Sequence, residues 1–120
     1  MKLIALLVLT ALLSACTSSE ALMEGIRSPN IALLPAGTYT GQAFLFPVSV
    51  TAEVAVADGR ITAVHLPRHF HGRGQAAEAI IDQVIAYQTV ELDSIAGATH
   101  STAVILKAIE DALQGGDNDT

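Results

Sequence analysis

The chain has 120 residues, 51% of them hydrophobic and 4% aromatic, with six basic against twelve acidic side chains. That length suits one domain with a modest core, and a net charge of −6 argues against nucleic acid as a partner, because phosphate backbones demand clustered Lys and Arg. A single cysteine excludes an internal disulfide.

The first residues stand apart from the rest. Met1-Lys2 gives a short positive start, residues 3–13 are an apolar run broken only by Thr10, and Ser14-Ala15-Cys16 closes it with small residues. Residues 1–15 therefore read as a secretory signal, too short for a stable membrane span. Leu13-Ser14-Ala15-Cys16 resembles a bacterial lipobox, which implies lipidation of Cys16 as the new first residue and a lipid anchor in a membrane. Each buried methylene of such a chain contributes about 0.8 kcal/mol, enough in sum to hold a multiply acylated protein at a bilayer. Thr17, not Asp, follows the cysteine. This resembles lipoproteins sorted to the outer membrane, so the expected location is the periplasmic face of a membrane or the cell surface.

Residues 16–34 are expected to be a tether, since Thr17-Ser18-Ser19-Glu20 is polar and Ser28-Pro29-Asn30 is a turn signal. The domain is expected over 35–114. Residues 38–44 are rich in β-branched and aromatic side chains, and after Pro47 residues 48–56 alternate strictly, with Val48, Val50, Ala52, Val54 and Val56 on one face. Asp58-Gly59 predicts a tight hairpin, residues 60–66 resume the alternation, and Pro67 is expected to end it. A polar loop, 68–74, leads to a helix over 75–87 with Ala77, Ile80, Ile81, Val84 and Ile85 at helical spacing. Residues 89–92 are a candidate further strand. A second helix is expected over 101–113, with Ile105, Leu106, Ile109 and Leu113 buried and Lys107, Glu110, Asp111 and Gln114 wet. Residues 115–120 read as a disordered tail after Gly115-Gly116. The fold class predicted is α+β: an antiparallel β-meander of about three to four strands packed with two amphipathic helices.

The stretch most suited to chemistry is Asp93-Ser94-Ile95-Ala96-Gly97-Ala98-Thr99, followed by His100-Ser101-Thr102. Gly97 and Ala98 let a ligand approach the backbone, and the first N–H groups of the helix that follows lack intrahelical partners. With the helix dipole they favour an anion by about 0.3–1 kcal/mol. Plain N-capping by Thr99 or Ser101 is the competing explanation and is the commoner event. Two other patterns compete for function. Gly72-Arg73-Gly74-Gln75-Ala76-Ala77 matches a dinucleotide-binding spacing, with Glu91 and Asp93 about twenty residues on. It lacks the strand directly before it, and the Asp58-Gly59 hairpin implies an antiparallel sheet. His65, His69 and His71 are the alternative, a candidate metal set, but only the distant His100 offers a further imidazole. Tyr39, Phe44, Phe70 and Tyr87 are expected mostly in the core, with Phe70 the one candidate for cofactor contact.

The 93–99 loop resembles the flavinylation motif of the FMN-binding domain family, with Gly97-Ala98-Thr99 intact and Ile95 and Ala96 departing from the usual small hydroxylic residues. The likeness extends in the same order over Gly37-Thr38-Tyr39-Thr40-Gly41, the strand before Asp58-Gly59, the Gly72/Gly74 loop and both helices. The resemblance implies FMN esterified through its phosphate to Thr99, attached by a Mg-dependent flavin transferase that takes FMN from FAD and recognises Asp93. Ser94, Gly97, Ala98 and Ser101 would line the phosphate, with His71 and Arg73 near the ring. It also implies an electron carrier or reductase component served by redox partner proteins in or at the membrane. The alternatives are a non-redox binding lipoprotein of the same fold and a His-rich metal-binding lipoprotein.

Overall fold

The computed structural model describes residues 18–69, 74–115 and 117–119. The expected signal at 1–15, and with it Cys16, Thr17, Phe70, His71, Gly72 and Arg73, lie outside the described residues.

Alternation builds the sheet. Strands β1 (Gly37–Leu45), β2 (Val48–Ala57) and β3 (Arg60–His69) form an antiparallel meander, and β4 (Asp117–Asp119) pairs with β1, giving the order β3-β2-β1-β4. Val48, Val50, Ala52, Val54 and Val56 are all buried, as a period of two with one covered face requires. Asp58 and Gly59 both take positive φ, 53° and 72°, the backbone of a hairpin turn whose twist matches its strands. Phe46-Pro47 forms the β1–β2 turn, through a cis bond. Pro67 does not end β3, which continues to His69. On an edge strand, where the register slips opposite it between Thr51 and Glu53, a missing N–H costs no ladder bond.

Among the described residues there are three helices. These are α1 (Ser18–Glu24), α2 (Gly74–Tyr87) and α3 (Thr99–Gly115), with a 3-10 turn at Ile31–Leu33. The last helix lies along β1 and β2, α2 packs beside it against β3, and α1 packs on α3. Ile80 and Val84 of α2 join Ile105, Leu106, Ile109 and Leu113 of α3 and the β2 valines in one core. Gly41 lets α3 approach β1 backbone to backbone: a Cβ built there would stand 2.7 Å from Ala112 Cα, and nearer still to the Ala112 amide and the Ala108 carbonyl. Gln88 ends α2 in the left-handed region (φ 55°), and its side chain accepts from the Ile61 amide (2.7 Å) and donates to the Ile61 carbonyl (2.9 Å). A glutamine thereby covers part of the open edge of β3, which would otherwise present unpaired backbone.

Several expectations change. Residues 89–92 form no strand, although Val90 is buried; the fourth strand comes from Asp117–Asp119, in the stretch expected as a tail. Phe44 and Tyr87 are not core residues but lie 68% and 69% exposed, whereas Tyr39 is buried and donates its hydroxyl to Pro35 O at 2.6 Å. The expected tether is folded onto the domain over its described part: Ile26 and Ile31 belong to the core. Glu110, expected on the wet face, explains how. Its carboxylate is 3% exposed and accepts from the Arg27 amide and from Lys107 Nζ, while Gln114 Nε2 donates to Arg27 O at 2.8 Å. Glu91 holds the next amide, Ser28, at 3.1 Å. A buried carboxylate is tolerated because its oxygens are satisfied. Replacing Glu110 with alanine should cost about 1.5–3 kcal/mol, the range for hydrogen bonds to charged groups. The same change should speed tryptic cleavage after Arg27 in the folded protein, whereas E110Q, which keeps an acceptor, should be cut more slowly than E110A.

Candidate functional site

The Asp93–Thr99 stretch is built as a turn feeding a helix. The Ala98 amide donates to Ile95 O at 2.9 Å, and Gly97 takes φ 81°, so Ile95-Ala96-Gly97-Ala98 is a reverse turn whose third position needs positive φ. Gly97 is therefore required by the backbone, and beyond that it leaves room, since nothing lies within 4 Å of a Cβ built on it. Thr102 pins the turn from inside the helix. Its buried hydroxyl donates to Ala98 O at 2.7 Å and receives the Ile95 amide at 3.5 Å. The sequence signal for this role is a threonine four residues after the helix entrance, where its oxygen reaches back one turn. Thr102→Val keeps the shape and leaves the Ile95 amide without its acceptor, while Ala98 O keeps the Thr102 amide at 2.9 Å, so a loss of about 1–3 kcal/mol is expected in denaturant titration.

Helix α3 begins at Thr99, two residues earlier than the apolar spacing indicates. Ala98 is then the flanking residue, and alanine has no oxygen with which to cap the helix. Neither Thr99 nor Ser101 caps it: both lie within the first turn, partly buried. Thr99 Oγ1 donates to Ser94 Oγ at 3.5 Å. Among the described residues, no partner is found for the amides of Thr99, His100 and Ser101. Three open N–H groups, a hydroxyl beside them and an uncapped helix entrance form a donor set that fits a phosphate ester. Asp93 is exposed at the start of the loop, Ala98 directly precedes Thr99, and Ser94 Oγ lies against the Thr99 hydroxyl.

His100 sets the surroundings. Its Nε2 lies 2.8 Å from Leu45 O, and because a carbonyl only accepts, Nε2 carries the hydrogen. The ring thus holds the β1–β2 turn next to the helix entrance. The chain leaves β3 at His69, paired with Val50, at this same end of the sheet. His71 and Arg73, which follow, lie outside the described residues.

The competing patterns gain no support. The sheet pairs are antiparallel throughout, whereas the Gly72–Ala77 spacing needs a parallel strand-helix-strand unit. Among the described residues, no group of three or more His, Cys, Asp or Glu side chains is placed to hold a metal. His65 lies opposite Glu53 on the uncovered sheet face, remote in register from the β1–β2 turn.

The site is thus a turn that opens a helix on Gly97-Ala98-Thr99, behind an antiparallel meander. The sequence model for the FMN-binding domain matches residues 47–114, more than half of the chain, and the chain belongs to that family. The match begins at Pro47, so β1 with its Gly37–Gly41 stretch precedes it. No curated protein and no solved structure matches the chain.

Proposed function

We propose that the protein carries FMN covalently on Thr99 and relays electrons outside the cytoplasm, held at a membrane by a lipid on Cys16. The observation that carries this reading is the helix entrance: Thr99 offers a hydroxyl at the first turn of α3, beside amides for which no partner is found among the described residues. Membership of the FMN-binding domain family supplies the flavin. The signal-like residues 1–15 and the lipobox-like ending supply the anchor and the location.

In the attachment step Thr99 Oγ1 attacks the FMN phosphorus of FAD on a flavin transferase. The Oγ1–P bond forms, the pyrophosphate P–O bond breaks, AMP leaves with that electron pair, and the hydroxyl proton passes to a base of the transferase. Mg²⁺ on that enzyme offsets the phosphate charge. The chain itself presents the nucleophile on a pinned turn, with exposed Asp93 as the handle the transferase reads. After attachment the open amides of the first helical turn hold the phosphate, and the helix dipole opposes its charge. Bound there, FMN supplies transfer of one or two electrons. Redox proteins in or at the membrane are the donor and acceptor, and covalent linkage keeps the cofactor where no cytoplasmic pool replaces it.

The test is to produce the full chain with a flavin transferase and FAD. The expected product has gained the mass of one FMN less one water and keeps a yellow colour after denaturation. An unmodified mass, with the transferase active on another substrate, would overturn the reading.

A further inference from the structure

Among the described residues Phe46 is the most exposed large hydrophobic side chain, at 79%. Single exposed apolar residues are common on proteins, so exposure alone assigns nothing. Position does. Phe46 occupies the β1–β2 turn, and the carbonyl of its neighbour Leu45 is held by the imidazole of His100. His100 in turn is the residue after Thr99. One hydrogen bond and two peptide links therefore join the proposed attachment oxygen to this ring. The turn is also short and closed by the Leu45–Val48 pair, so the ring stands on a defined support rather than a long loop.

We infer that Phe46 is a cofactor-contacting residue, packing against the isoalloxazine of an FMN held on Thr99. The inference rests on the attachment proposed above. An isoalloxazine has flat apolar faces and polar edges, so one face is stabilised by an aromatic side chain while the edges stay solvated. Burying a phenylalanine side chain is favourable, and the unloaded protein forgoes that burial at this position. Phe44, also exposed, does not share the placement. Strand alternation sets it on the face opposite Ala43 and Leu45, away from α3 and the helix entrance. Its distance from the site makes it the natural control.

The experiment uses flavin-loaded full-length protein and reads emission, not activity. Indole at contact quenches an excited flavin by giving it one electron and taking it back, so nothing is consumed; a phenyl ring does not. At equal flavin loading Phe46→Trp should lose emission severalfold, while Phe44→Trp should match the wild type. Phe46→Ala should make the flavin more accessible to iodide quenching. Both positions are exposed, so neither substitution disturbs the core. Unchanged emission in fully loaded Phe46→Trp, or equal quenching by Phe44→Trp, overturns the contact and leaves the Thr99 attachment standing. Failure of the wild type to gain the FMN mass overturns the attachment and the contact together.

Discussion

Thr99→Ala should abolish flavin attachment completely, while Ser101→Ala should leave it intact and Thr99→Ser should retain it. Three hydroxyls crowd this helix entrance, and their geometry separates them. Thr102 Oγ1 is buried and already spends its hydrogen on Ala98 O, so it is neither accessible nor free to react. Ser101 lies two residues further into the helix. Thr99 is the first helical residue, adjoining the turn, and among the described residues its hydroxyl makes the 3.5 Å contact with Ser94. Because that contact is long, Thr99→Ala should change stability by no more than about 0.5 kcal/mol, the usual scale for changes away from the core. Loss of the label would then report lost chemistry and not lost folding. Intact mass and in-gel flavin fluorescence measure it directly. A label retained in Thr99→Ala and lost in Ser101→Ala would move the attachment to Ser101.

Gly41→Ala should be the most destabilising single methyl in the domain. The added carbon would meet backbone atoms of Ala108 and Ala112, not the flexible end of a side chain, so α3 must shift bodily. Overpacking costs about 1–3 kcal/mol where side chains can adjust, and this site should reach or exceed the upper end. For a domain this size each kcal/mol lowers the melting temperature by about 4–8 °C. The drop should therefore be plain in calorimetry. Gly115→Ala is the matched control: nothing lies within 4 Å of a Cβ there, and no measurable loss is expected. The local environment of α3 makes the point sharper, because Ala52, Ala108 and Ala112 are all fully buried and all small. Gly41 is the member of that group whose size cannot increase at all.

The meander and both long helices are legible in the sequence because their apolar spacing is regular. Val48 to Val56 and the Asp58-Gly59 turn are clear examples, and the buried stripe of α3 is another. What escapes is what periodicity does not encode. Ile26 and Ile31 belong to short apolar runs with no regular spacing, and only their tertiary packing makes them core. Glu110 reads as a surface residue because its charge is visible and its partner, a backbone amide 83 positions away, is not. Pro67 reads as a stop because the edge position of β3 that tolerates it is a property of the sheet, not of the strand. At the candidate site, Gly-Ala-Thr marks the proposed attachment region. The start of α3 at Thr99 and the reach of His100 to Leu45 depend on where the β1–β2 turn sits, which no local pattern records.

The folding of the N-terminal stretch onto the domain changes what an anchor would do. Only Thr17 separates Cys16 from α1, and α1 packs on α3. The two steps from Cys16 to Ser18 span at most about 7 Å, so a domain acylated at Cys16, as proposed, would stay close to the bilayer instead of sampling the volume a long flexible spacer allows. Its encounters would be governed by lateral diffusion in the plane of the membrane. A redox partner must then present its own cofactor close to the lipid surface, and lengthening the Cys16–Ser18 link with a Gly/Ser insert should loosen that requirement.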